Sequence, residues 1–134
     1  VIREYGFEKL SVWQNARKLV QKIYCLTKAL PTEEKFGLIS QIQRAAVSVS
    51  SNIAEGSSRK SSKDQAHFYQ TAYASLMEVL CQLILCQDLR YIAECSYKDA
   101  RESIDMIAYQ LTKLRNAAIN QPTQPSKPSQ PTKP

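Results

Sequence analysis

Two long stretches of this chain keep a helical apolar period while almost lacking charge. From Phe36 to Glu55 only Arg44 and Glu55 are charged, and from Gln65 to Gln87 only Glu78 is. In the first stretch Ile39, Ile42, Ala46, Val49 and Ile53 recur at the spacing of one helix face. Gly56 then reads as a left-handed helix stop. A helix that faces water normally carries Lys and Glu on its outer side. Ser, Gln, Asn and Ala stand there instead, which points to protein on more than one side.

The rest of the chain supplies two more helices and no strand pattern. The first is expected over Glu8–Ala29, with a core seam of Val12, Ala16, Leu19, Ile23, Leu26 and Leu30. Trp13, Val20 and Tyr24 widen its apolar arc. Pro31 ends it, and Thr32 is the expected cap of the second helix, with Glu33 and Glu34 in the first turn. The polar segment GSSRKSSK connects to a third helix over Lys63–Asp88, with Ser62 as its expected cap. There Phe68, Tyr69, Ala72, Tyr73, Leu76, Val79, Leu80, Leu83, Ile84 and Cys86 cover well over half the circumference. Ser96-Tyr97-Lys98-Asp99 reads as a capping box opening a fourth helix. Its stripe is Ala100, Ile104, Ile107, Leu111, Leu114 and Ala118. Four helices on short connections predict an all-α, up-down-up-down antiparallel four-helix bundle over residues 1–120.

Residues 121–134 differ. Prolines at 122, 125, 128, 131 and 134 would share one edge of a polyproline II helix. The segment reads either as a ligand for a proline-binding groove or as a disordered extension.

Size and composition narrow the class. The chain has 134 residues, enough for one real core, and a net charge of +6. It has no apolar run long enough for a membrane span and no visible secretory signal. The spacing of Cys25, Cys81, Cys86 and Cys95 matches no disulfide scaffold, so reduced thiols in a cytoplasmic protein are expected.

Catalytic motifs are missing. His67 is the only histidine, which rules out a two-histidine metal site, and there is no glycine loop for phosphates or nucleophile elbow. No enzyme activity, cofactor or metal is therefore expected. Glu55 and Glu78 are the carboxylates that stand out. On a helical wheel Glu55 shares a side with Gln41, Arg44, Ser48 and Asn52, and Glu78 shares a strip with His67, Thr71, Ser75 and Gln82. A carboxylate-lined site would use them chemically. A hydrogen-bonded structural pairing, with Arg44 as the cation, is the reading preferred here.

The basic residues form two sets. Arg17, Lys18, Lys22 and Lys28 lie on the back of helix 1, and Arg59, Lys60 and Lys63 lie in the connection after helix 2. Both are candidate contacts to nucleic-acid phosphates, with no base readout. No aromatic residues interleave with them along the sequence, which argues against single-strand stacking. A solvated charged face is the plainer reading of helix 1.

Three runs of residues carry a family resemblance. They are Phe7-x-x-Leu10-x-Val12-Trp13-x-x-Ala16; Pro31 with Glu34-x-Phe36-x-Leu38-x-x-Gln41-Ile42-x-Arg44-Ala45-Ala46-x-Ser48-Val49; and Asn52-Ile53-Ala54-Glu55-Gly56. Ala74-Ser75-Leu76-x-Glu78-Val79 adds a fourth. Over about Phe7–Ala118 the chain resembles the four-helix-bundle proteins of bacterial 23S rRNA intervening sequences. The resemblance implies a bacterial cytoplasmic bundle, a ring-shaped homopentamer and no established reaction. Structural or assembly roles are expected for Trp13, Tyr24, Gln41, Arg44, Asn52, Glu55, Gly56 and Glu78. A related group, the accessory proteins of diversity-generating retroelements, works with a reverse transcriptase and nucleic acid, which extends the expected partners by analogy of fold. The competing expectation is a scaffold with a protein partner and no nucleic-acid role.

Overall fold

The computed structural model describes residues 1–121. The proline-rich segment and its expected disorder lie outside the described residues. Four helices follow one another: α1 (Ser11–Leu26), α2 (Ser40–Ser58), α3 (Ser62–Asp88) and α4 (Glu94–Ile119). Short 3-10 turns precede and follow α1, at Gly6–Lys9 and Thr27–Ala29. No strand occurs among the described residues.

The packing closes in chain order, α1 on α2, α2 on α3, α3 on α4 and α4 back on α1. Side-chain bonds fix the directions. Asn15 reaches Gln110 while Lys22 reaches Asp99, so α1 and α4 run oppositely. Arg44 meets Glu78 and Ser48 meets Ser75, so α2 and α3 do too. Arg115 bonds Gln70 and Gln87 bonds Glu94, which orients α3 against α4. This is the up-down-up-down antiparallel bundle.

The core is the set of seams meeting on the bundle axis. Leu19, Ile23, Ile42, Ile53, Leu76, Leu83, Ile104, Ile107 and Leu111 are fully buried, with Ala16, Ala45, Ala46 and Ala72 allowing the helices to approach closely. Trp13 and Val20 are half-buried against that same core. The third residue of that wide apolar arc, Tyr24, stays exposed. Most of the broad apolar surface of α3 is taken up by its neighbours on both sides.

The helix ends depart from expectation in four places. Gly56 does not stop α2. It lies buried inside the helix, and no glycine among the described residues has positive φ. Its role is close approach: a Cβ there would stand 2.7 Å from the Tyr69 ring and 3.0 Å from Cβ of Phe68. Thr32 does not cap α2 either. Glu34 caps the wide turn over Lys35–Ile39 that leads into α2, accepting the Leu38 N–H at 3.2 Å, and α2 itself has no side-chain cap. A Cβ on Gly37 would press on that carboxylate at 2.8 Å. Ser61, not Ser62, caps α3 by accepting the Asp64 N–H at 3.1 Å. Finally, α4 starts at Glu94, and Ser96 and Asp99 are already helical. The chain gains this early start because α3 ends in a Schellman turn. Arg90 takes φ 61°, while Arg90 N–H bonds Gln87 O and Tyr91 N–H bonds Cys86 O, both at 2.9 Å.

Candidate nucleic-acid interface

The candidate cations do not form one surface. On α1, Lys22 is tied down, its Nζ lying 3.1 Å from Asp99 and 2.7 Å from Ser103 of α4. Lys18 lines the same α1–α4 groove as Glu102 and Asp99. Arg17 lies over the Trp13 ring at 5.4 Å. Lys28 is exposed at the opposite end of the bundle from the α2–α3 turn. The expected basic stripe is thus interrupted by acidic residues of α4, which no wheel of α1 alone displays.

The second set fares better. Arg59, Lys60 and Lys63 sit together at the sharp α2–α3 turn, all exposed. Arg59 is the anchored member. It bonds Glu55 one turn back at 2.5 Å and lies over Phe68 at 4.7 Å. The glycine at 56 makes this turn tight by admitting Tyr69 and Phe68 against α2.

The motif carboxylates are placed, and one expected pairing is corrected. Arg44 pairs with Glu78 at 3.0 Å and also bonds Gln41 at 3.1 Å. Glu55 takes Arg59 instead, because Arg44 lies eleven residues earlier on α2 and faces α3. Neither pair is buried; the Arg44 side chain is 62% exposed. Between them Asn52 donates to Ser48 O at 2.8 Å and to its Oγ at 3.1 Å, and Ser48 shares a 2.8 Å bond with buried Ser75. Gln41, Arg44 and Glu78 therefore form one bonded group along the α2–α3 seam, and Ser48, Asn52 and Ser75 a second. Beside them the outward stripes of the two helices present Val47, Ser51, Ala74, Cys81 and Leu85.

Sequence reasoning missed the N-terminal turn. Glu8 fastens it, accepting the Tyr5 N–H at 2.8 Å while its own carbonyl accepts from Gln14 at 2.6 Å. Phe7 stacks edge-on against Trp13. Tyr5, Gly6 and Phe7 thereby line a groove with Ser51, Ala54, Glu55, Ser57 and Ser58 of α2. The only sequence signal was the spacing of Tyr5 and Glu8, too short to imply a contact with α2. Glu34 was missed as a hub. Besides capping the wide turn before α2 it accepts a 3.0 Å bond from the Tyr91 hydroxyl, which raises that phenol's pKa. Burial, helped by Glu34, pushes the Cys86 thiol up to about 11.

Chemically this arrangement can bind and pack. No group of three His, Cys, Asp or Glu side chains is placed to hold a metal among the described residues. His67 is exposed and stacks edge-on with Phe68. No described helix is long and apolar enough to cross a membrane.

Comparison with known proteins agrees with the fold. Among solved structures the chain is similar to a protein of unknown function from the S23 ribosomal protein family of Bacteroides thetaiotaomicron. The two share 25% identity over 78% of this chain and 97% of that one, with a TM-score of 0.72. No curated protein matches. The family model described as 23S rRNA-intervening sequence protein matches residues 8–113, which spans all of α1, α2 and α3 and most of α4. The chain belongs to the 23S rRNA-intervening sequence protein family.

Proposed function

We propose that this chain is a non-catalytic, self-assembling bundle that presents its α2–α3 turn, in several copies, to nucleic-acid phosphates in the bacterial cytoplasm. One observation supports the reading above others. The nearly uncharged outer face of α2 and α3 runs straight into a turn bearing Arg59, Lys60 and Lys63. Copies that associate along that face bring their turns side by side. Repetition then strengthens weak phosphate contacts by effective concentration. Unlike surfaces meeting head to tail close into a ring, and five copies is the number the family resemblance implies.

Light scattering at micromolar concentration tests the first half, with a particle well above a dimer expected and a stable monomer contradicting it. A gel shift titrated with salt tests the second. Binding should weaken steeply, and replacing Arg59, Lys60 and Lys63 together by Gln should cut the log–log salt slope by about 2. Binding indifferent to salt would reject a phosphate contact. The pairing of Lys22 with Asp99 and Ser103 favours a second reading, a scaffold for a protein partner. An oligomer that shifts no nucleic acid would select it.

A further inference from the structure

The groove between the N-terminal turn and the end of α2 has a volume of about 480 Å³. Its walls have a definite chemistry. Tyr5 supplies an aromatic ring that is 57% exposed. Arg3 lies over that ring at 5.4 Å. The α2 wall contributes hydroxyls from Ser51, Ser57 and Ser58, and Glu55 held by Arg59. At Gly6 an added Cβ would meet nothing within 4 Å, so the wall is low there and the groove open to an entering chain.

Folding thus joins what the sequence keeps apart. An aromatic residue near position 5 and the cations at 59, 60 and 63 reach the same end of the bundle. Building on the nucleic-acid reading above, we infer that this groove takes one nucleotide of a single strand. The base stacks on Tyr5, and the flanking phosphates follow Arg3 and Lys60. A stacking platform beside a basic rim is how proteins hold single strands without reading sequence. Glu55 does not oppose this: its charge is engaged by Arg59, and its half-exposed carboxylate accepts from sugar hydroxyls or exocyclic amines. A duplex offers no exposed base face to the ring, so the groove discriminates by strandedness.

Fluorescence anisotropy with labelled oligo-dT, oligo-U and a duplex of equal length tests the inference. Tyr5→Ala should weaken both single strands about tenfold, in line with the usual effect of removing one stacking platform, and leave the duplex unchanged. Tyr5→Phe should retain single-strand affinity. Lys98→Ala, which removes a charge at the far end, should change nothing, and circular dichroism should show all three variants equally helical. Equal single-strand affinity for Tyr5→Ala and the parent overturns the groove while leaving phosphate binding by the turn intact. A parent that binds neither strand form at low salt overturns both readings.

Discussion

The α1–α4 half and the α2–α3 half of this bundle have the same core and opposite surfaces. Outside its seam α4 carries Glu94, Lys98, Asp99, Arg101, Glu102, Asp105, Lys113 and Arg115. These charges answer one another: Lys98 to Glu94, Arg101 to Asp105, and Asp99 across to Lys22. Each such exposed pair is worth little, yet the charges set this surface apart, although Tyr24, Met106, Tyr109 and Ile119 are exposed among them. Across the molecule, α2 and α3 spend their outer positions on Ser, Ala, Val, Gln and Leu, with Arg44 and Glu78 bonded to each other. Equal burial of both seams means that folding alone does not account for the difference. On the proposed function, the asymmetry follows from what each half would meet.

Charge insertion breaks the comparison most directly. Ala74→Glu combined with Leu85→Lys, on the outward stripe of α3, should reduce the oligomer to monomers while the helix content stays unchanged. Met106→Glu, on the exposed edge of α4, should leave assembly intact. Sedimentation velocity separates these outcomes, and loss of assembly in both variants would erase the distinction between halves.

The next largest effect concerns folding. Gly56→Val drives side-chain atoms into the Tyr69 ring, which is buried and has no room to retreat. A loss of about 3 kcal/mol in urea unfolding is expected from overpacking. Neutral behaviour would mean that α2 and α3 separate easily at that end.

Alkaline titration comes third. Burial raises the Cys86 pKa from the ordinary thiol value of 9.0 to about 11 in the folded state, so the native protein holds this proton longer than the unfolded chain. Its contribution is full below pH 9 and is lost as pH climbs toward 11, costing about 2 kcal/mol over that span. Burial raises Tyr69 in the same direction. Melting temperature followed across this range should fall, and Cys86→Ala should flatten the fall. An unchanged slope in that variant would place the linkage elsewhere.

The smallest effect is expected at Glu55. Because its partner Arg59 is exposed, Glu55→Gln should cost under about 1 kcal/mol in thermal unfolding. A drop several times larger would mean that this carboxylate is buried in the assembly.

How far the sequence foretold all this follows from the range of each interaction. The seams of α1, α2 and α4 were legible because periodicity is local. Val12, Ala16, Leu19, Ile23, Ile42, Val49, Ile53, Ile104 and Leu111 are all buried. Helix ends were less legible. Several Ser, Thr and Glu residues cluster at each junction, and which one caps depends on how the chain enters the helix. Glu34 displaced Thr32 because Gly37 opens a wide turn above it, and Ser61 won over Ser62 by one position. The candidate site was the least legible part. That Lys22 faces Asp99, that Glu55 takes Arg59 and that Tyr5 reaches α2 are facts about pairs of elements. A wheel drawn for one helix holds none of them.

The central claim is that the uncharged α2–α3 face is where copies of this chain meet. The cysteines test it without any substitution. Cys81 stands exposed on that face, Cys25 and Cys95 stand exposed on α1 and α4, and Cys86 is buried. Timed alkylation of the assembled protein, read by peptide mass, compares all four in one sample. The account predicts fast labelling of Cys25 and Cys95, with Cys81 slowed toward the rate of Cys86 and released on dilution to monomer. Labelling of Cys81 as fast as Cys25 and Cys95 in the intact oligomer would contradict it.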